Sequence, residues 1–482
     1  MASEPRRYVF APLEHRGMIA GLGPAQIGLL GGGLLVDTAV LRIAPTAPGV
    51  LAAVLVMLMA TAAAFAPVGG RPVEEWVPTV TRRVSRRVQG THRGRVGSRP
   101  GPVLRPPDAF RGLAFEEIDQ PGASPVAVVC DRRAATLTAV LAVRGRSFAL
   151  LDAADKERRL ASWSAVLSGL SREGSPIRSL QWVERTVPGD SHELSRHFDT
   201  MRAIPADSRA ARSYAALVAE AGPLGQEHEC FVALTVRMRQ RRGAASPSDA
   251  LLREVRLLHA QLRSADLDVD HALTKRELGA VLRTGFEPWA RSGMARRGVL
   301  HPELAGCLPP AAWPAATDEG WASWHTDTVW HATFWLGEWP RSEVGPDFLA
   351  PLLLHTTCQR SISVIMSPLP PSAGIREAEA ARTAQAADEQ LRQQAGFLAT
   401  ARRRRQAEGI ARRESELSDG HAAYRFSGYV TVTAQSPEEV ELACGEVVQA
   451  AHQCRLDPRR LYGVQDLAFT WTLPLGRGVA GR

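Results

Sequence analysis

Two uncharged apolar runs close to the N-terminus constrain this chain more than any other feature. From Met18 to Val36 no residue is charged; Asp37 interrupts, and Thr38–Leu41 carry the apolar run on to Arg42. From Gly49 to Val68 there is again no charge. A helix that crosses a bilayer needs roughly 20 apolar residues, so both runs are long enough. The pattern predicts a two-helix transmembrane hairpin with spans at about 18–41 and 49–68. Arg42–Pro48, with two prolines, is the expected turn. A cleaved signal peptide is the rival reading of the first run. It fails because the second run follows at once and no small-residue cleavage site leads into a polar mature chain. Gly31–Gly33 lie inside the first run, where close helix packing is the expected role.

Orientation follows from flanking arginines. Arg6, Arg7 and Arg16 precede the hairpin, Arg42 alone sits in its loop, and Arg71, Arg82, Arg83, Arg86, Arg87, Arg93, Arg95 and Arg99 follow it. Both termini are therefore expected in the cytoplasm, at a cell (inner) membrane crossed more than once. Asp37 then lies near the outer end of span one, able to reach headgroups or pair with Arg42. Next comes Val73–Val88, where Val73, Trp76, Val77, Val80, Val84 and Val88 recur at helical spacing. An amphipathic helix of this kind can lie in a membrane interface, with its arginines drawn to anionic lipid. Trp76, Arg82, Arg83, Arg86 and Arg87 are the candidate interface residues. Thr91–Pro107, rich in Gly, Pro and Arg, reads as a linker.

The 482 residues exceed one ordinary core. Expected regions are a tail and hairpin (1–70), a juxtamembrane helix and linker (71–107), a first β/α domain (108–188) and a larger α/β domain (189–482). The fold class is α+β: a hairpin followed by a mixed α/β cytoplasmic region with antiparallel sheets and one long helix. In the first domain, Val126–Asp131, Thr136–Val143 and Ser147–Leu151 read as strands, Asp152 as the cap of a helix to Leu170, and Ile177–Arg185 as a strand. Beyond it, helices are expected at Arg209–Ala221, Ser248–Ser264 and Lys275–Leu282, and strands at Glu229–Met238, Thr326–Trp335 and Ser361–Ser367. Residues 375–417, free of proline and rich in Ala, Arg, Glu and Gln, read as one long polar helix, with Gly396 or Gly409 as possible breaks. Tyr424–Ala434 alternates cleanly as a strand, Ser436 caps a helix ending near Cys454, and Leu467–Leu473 reads as a closing strand. No repeat recurs at a fixed short period.

The chain excludes several chemistries. Only Lys156 and Lys275 are lysines, and neither follows a phosphate-cradling loop, so a P-loop ATPase is excluded. His192-Glu193-Leu194-Ser195-Arg196-His197 places its second histidine one residue too late for zinc ligation on one helical face. His325 and His331 could share a strand face, and His355 lies near Cys358, but no further ligand is placed by spacing. No nucleophile elbow is present. The six cysteines form no CxxC pair, as expected of buried thiols in a reducing compartment. The net charge of +8 suits anionic lipid or nucleic acid without selecting either. Six tryptophans cluster between Trp313 and Trp339, in a core or an interaction surface. No catalytic, cofactor or metal residue is assigned.

The basic head Arg6-Arg7-Tyr8, the hairpin, Ala411-Arg412-Arg413-Glu414 through Gly420-His421, Tyr424–Ala434 and Ser436-Pro437-Glu438-Glu439 carry a resemblance. Together they resemble an actinobacterial family of conjugative-element membrane proteins. Those look like a PrgI/VirB-type two-span subunit fused to the N-terminal, non-ATPase domain of a VirB/TrbE-type type IV secretion ATPase. In such ATPases a similar helix, strand and capped helix precede the motor; this chain is expected to lack the motor. The resemblance implies a structural docking component of a secretion or conjugation system rather than an enzyme. Its implied partners are the inner membrane, further copies of itself and a separately encoded P-loop ATPase, with DNA or protein as the substrate in transit.

Overall fold

The computed structural model describes residues 10, 24–65, 67–68, 71–88, 93–95, 106–144, 151–189, 191–221, 225–238, 246–302, 305–394 and 401–478. The chain divides into two compact units. One comprises 1–11, 94–461 and 465–482, the other 12–93 with 462–464.

In the smaller unit, α1 (Pro24–Ile43) and α2 (Ala47–Phe65) run antiparallel. Gln26 near the start of α1 donates from Nε2 to the Ala64 carbonyl near the end of α2, at 3.1 Å. Gly33 permits the close approach: a Cβ there would lie 2.8 Å from Cβ of Ala60, whereas Gly31 and Gly32 face open space. Among the described residues, Gln26–Ile43 is long and apolar enough to cross a membrane by length and composition, and Ala47–Ala62 is a shorter apolar stretch. Of the expected spans, residues 18–23 and 66 lie outside the described residues; within them α1 runs on to Ile43 and α2 begins at Ala47. The helix α3 occupies Val73–Val88, as its valine spacing predicts.

The larger unit is mixed α/β around one large antiparallel sheet. Its first strands are β1 (Leu113–Gln120), β2 (Ala123–Asp131) and β3 (Thr136–Arg144). Then come α4 (Ala153–Leu170), β4 (Ile177–Pro188), the helices α5 (Ser191–Met201) and α6 (Arg209–Ala221), and β5 (Gln226–Arg237). They are followed by α7 (Pro247–Ser264), β6 (Asp268–Ala272), α8 (Lys275–Phe286) and α9 (Ala290–Leu300). The later part begins with β7 (Ala316–Glu319), β8 (Trp324–Thr326), β9 (Val329–Glu338) and β10 (Gln359–Pro368). It ends with α10 (Pro371–Gln394), α11 (Ala401–Ser418), β11 (Tyr424–Ala434), α12 (Pro437–Gln453), β12 (Asp457–Arg460) and α13 (Gln465–Phe469).

This order is a duplication. In the first half β3-α4-β4-β5-α7-β6 form a sheet in the order β6-β3-β5-β4. That is the split βαβ, ferredoxin-like arrangement. In the second half β9, a five-residue helix at Ala350–Leu354, β10, β11, α12 and β12 repeat it in the order β12-β9-β11-β10. A strand pair precedes each repeat, and a helical pair is inserted at the same connection, α5–α6 in one and α10–α11 in the other. The repeats join where β4 pairs antiparallel with β10, with Val183 opposite Ser363. A local two-fold axis therefore passes through that residue pair. The boundary expected at 188 falls at the end of β4, inside this unit, because strands on both sides of it lie in one sheet.

Small details repeat as well. Ser246 caps α7 through the Asp249 amide, and Ser436 caps α12 through the Glu439 amide. Just beyond the helices, Asp266 and Arg455 adopt left-handed φ of 60° and 59°. A Leu-Asp pair then opens each edge strand, at Leu267-Asp268 and Leu456-Asp457. The amide of Leu273 donates to the Val140 carbonyl at 2.8 Å, and that of Leu461 to the Thr333 carbonyl at 3.0 Å.

In the first repeat α4 contributes Val166 and Leu170, and α7 contributes Leu251, Val255, Leu258 and Leu262. They pack against Leu137, Ala139, Leu141, Leu180 and Leu234 of the strands. In the second repeat α12 buries Val440, Cys444, Val447 and Ala451 against Phe334, Leu336, Val430 and Val432. Trp182 on β4 packs into both clusters. The other sheet face is covered by α8, by Trp313 and Trp324, and by the C-terminal segment with Phe469, Leu473 and Leu475.

Three sequence expectations change. Residues 375–417 are not one helix: α10 and α11 fold back on each other, with Arg382 and Glu414 paired at 2.7 Å. The helix α11 runs through Gly409, and Gly396 lies outside the described residues. Leu467–Leu473 is helical rather than a strand. Its two-residue alternation misleads because Thr470 and Thr472 turn their hydroxyls back to the carbonyls of Leu467 and Phe469. The strand expected at Thr326–Trp335 begins at Val329 and runs to Glu338, because Thr326 ends β8 and a turn separates the two. The expected strand Ser147–Leu151 lies largely outside the described residues.

Candidate membrane interface

The smaller unit presents apolar side chains that its own helices leave uncovered. Leu35 is 74% exposed on α1, and Leu51 is 73% exposed on α2. Leu34, Val36, Val54, Leu55, Leu58 and Met59 are also exposed. Moving one such leucine from water into an apolar medium is worth roughly 1.5–3 kcal/mol. Asp37 is half-buried on α1, and its Oδ1 has no hydrogen-bond partner among the described residues.

The helix α3 places its candidates in different ways. Val80 and Val84 are exposed. Arg87 is exposed, whereas Arg83 and Arg86 are half-buried and engaged in contacts. The side chains of Trp76 and Arg82 lie outside the described residues. Exposed valines beside arginines are the arrangement an interfacial helix requires.

The larger unit holds a polar seam that no sequence motif announces. The adjacent residues Glu184 and Arg185 point to opposite faces of β4 near the repeat junction. On one face Arg185 Nε donates to Glu229 Oε2 at 2.8 Å, and its Nη1 and Nη2 donate to the Val281 carbonyl and Thr284 Oγ1, both at 2.8 Å. Burial works against the Glu229 carboxylate, but Arg185 and Arg291 outweigh it and hold its carboxyl below the usual range. On the other face Glu184 Oε1 lies 2.6 Å from His228 Nδ1 and 3.7 Å from Arg360 Nη2. Arg360 also donates through Nε to the Leu352 carbonyl at 2.8 Å. Nearby on β4, Gln181 binds the C-terminal segment, reaching the Leu473 carbonyl at 2.9 Å and the Gly476 amide at 2.8 Å. Gly476 has φ +66°, and a Cβ there would strike the hydroxyls of Thr235 and Thr138. Each of these contacts ties strand to strand or to a covering element, so the seam is structural. The signal that could have found it is the presence of charged residues inside strongly apolar strands.

Other residues singled out in the sequence do not converge on a reactive centre. His192 and His197 lie on α5, where the His192 side chain is outside the described residues and His197 lines a shallow hollow with Phe198 and Tyr214. His325 and His331 do not share a face, because the β8–β9 turn reverses the chain between them. His331 sits opposite Trp324, and His325 stacks on Trp330 at 4.3 Å. His331 is fully buried between Thr326 Oγ1 at 2.8 Å and Thr433 Oγ1 at 2.9 Å. Burial and the neighbouring His325 push its imidazole down to about 3. Among the described residues no group of three His, Cys, Asp or Glu side chains is placed to hold a metal. The thiols of Cys230, Cys358 and Cys444 are pushed up to about 12 by burial, so they stay protonated. Of the tryptophans, Trp313 and Trp324 are core residues, and Trp321 is exposed. Comparison with protein-family models and with curated proteins finds no match to this chain.

Proposed function

We propose that the chain is a membrane-anchored docking component of a macromolecular translocation system, of the type IV secretion or conjugation kind. In this reading α1 and α2 form a transmembrane hairpin with both ends cytoplasmic. Helix α3 lies along the inner membrane surface through Trp76, Arg82, Arg83, Arg86 and Arg87. The duplicated sheet is the platform, and a separately encoded P-loop ATPase supplies the energy for DNA or protein in transit. The observation that carries the membrane part is the uncovered apolar surface of an antiparallel helix pair. An apolar patch of that extent calls for lipid or protein cover. The secretion part rests on the resemblance of the hairpin and of 411–439 to the conjugative family. The chain's own role is structural, with no reaction step.

The test is purification of the full chain in mild detergent after carbonate washing of membranes. Retention in the washed membrane and recovery with a P-loop ATPase, stable to salt, are the expected results. Release by carbonate overturns the anchor. Recovery without any ATPase, with salt-sensitive DNA binding instead, overturns the docking role and marks a tethered DNA-binding protein.

A further inference from the structure

Residue 10 is seated in an aromatic enclosure built by residues far along the chain. The Phe10 ring lies 5.2 Å from Trp339, 5.4 Å from Phe348 and 5.9 Å from Phe426, centroid to centroid. Its amide donates to the Pro340 carbonyl at 3.2 Å. Tilted and edge-on rings at these separations attract one another beyond the area they bury.

The enclosure is built rather than incidental. Trp339 and Phe426 meet edge-on at 5.0 Å, and Trp339 and Phe348 at 6.5 Å. Gly428 on β11 makes room for the indole: a Cβ there would lie 2.8 Å from Trp339 Cζ2. The loop that carries Phe348 is fastened at two places. Arg455 Nη1 donates to Ser342 Oγ at 2.6 Å, and Lys156 pairs with Asp347 at 2.7 Å. The duplicated fold itself does not call for a phenylalanine from the N-terminus at this point.

The chain leaves the larger unit after residue 11 and re-enters it at residue 94. We propose that Trp339, Phe348 and Phe426 form a receptor for the chain's own N-terminal segment, read through Phe10. Phe10 is then held by its own chain. This inference does not depend on whether α1 and α2 cross a membrane.

The test places a photoreactive benzoylphenylalanine at position 10 of the full chain in detergent, mixed with an isotopically heavy copy. Crosslinks to peptides bearing Trp339, Phe348 or Phe426 of the same chain are expected. Crosslinks elsewhere, or none, overturn the receptor; crosslinks found only between light and heavy copies overturn the seating of Phe10 within one chain. Hydrogen exchange at the Phe10 amide supplies a second reading. Phe10→Ala and Trp339→Ala should each speed it about tenfold, from the aromatic contact each removes. The double variant should be little faster than either single one. Additive acceleration would show that the two residues act independently, against the proposal.

Discussion

The two repeats share a backbone and differ in what they bury at the same point of it. In the first, Thr138 and Thr235 join their hydroxyls across β3 and β5 at 3.0 Å. In the second, the corresponding place on β9 and β11 holds His331 and Thr433. Two residues beyond the junction axis the first repeat carries Arg185 and the second Ile365, both buried. The inserted helical pairs differ too. On α5–α6, Met201, Tyr214 and Leu217 are exposed. On α10–α11, Arg382 and Glu414 bridge the pair instead. Hydrogen-bonded sheet geometry thus tolerates wide exchange of side chains, provided that buried polar groups keep partners.

The largest expected break in this comparison is at Arg185. Arg185→Ile gives the first repeat the residue type of the second but leaves Glu229 without its main partner. It should cost about 3–5 kcal/mol, measured by chemical unfolding of the full chain in detergent. Adding Glu229→Leu should recover part of the loss; no recovery would mean that the pair is not what matters there. Next are the helices over the sheet. Leu258→Ala on α7 should cost about 2–5 kcal/mol, and Val447→Ala on α12 less, because fewer carbons are removed. A larger loss at Val447 would reverse that order and show that α12 carries more of its layer than α7 does.

His331 gives a pH dependence that Thr138 cannot give the first repeat. Its folded value near 3 lies below the ordinary 6.5. Above pH 6.5 both folded and unfolded chains keep it neutral. As pH falls below that, only the unfolded chain takes up the proton, so stability drops by about 1.4 kcal/mol per pH unit. His331→Thr, the residue type of the first repeat, should remove about 2 kcal/mol of the stability difference between pH 7 and pH 5. An unchanged difference would exclude His331 as its source.

The smaller effects concern caps and turns. Ser246→Ala and Ser436→Ala should each cost about 1 kcal/mol, by thermal or chemical unfolding, since each serine holds the same amide of its helix. Ala135, with φ 52° in the turn between β2 and β3, should gain up to about 1 kcal/mol on replacement by glycine. Asp327, with φ 48° in the turn between β8 and β9, should not gain, because its carboxylate accepts from the Ala316 amide at 2.9 Å.

Local signals are legible in the sequence where they are strong. The valine spacing of α3, the alternation of β11 and the serine cap of α12 all appear in the structure where the sequence places them. The duplication is not legible, although Ser-Pro begins both helices and Leu-Asp follows both. The halves are far apart in the chain and their inserted helices differ, so no fixed period survives. The α10–α11 fold-back is hidden because a polar, proline-free run offers no stop signal. The polar seam is hidden because ion pairs between strands depend on register, which no local pattern reveals. Of the interface candidates, the helix is legible as a helix, while its side-chain environment depends on surroundings that sequence does not encode.

The junction between β4 and β10 has a consequence for how the chain can be divided. A cut between α9 and β7 would leave each half the layer under its own helices, split the layer on the other face, and bare one further strand edge in each. Such an edge is a template for pairing, and across a two-fold axis it is geometrically suited to a copy of itself. Two separate halves could therefore close their edges on each other or on themselves, with nothing to set the proportion. Joining both repeats in one polypeptide fixes their ratio at one to one and leaves that edge closed.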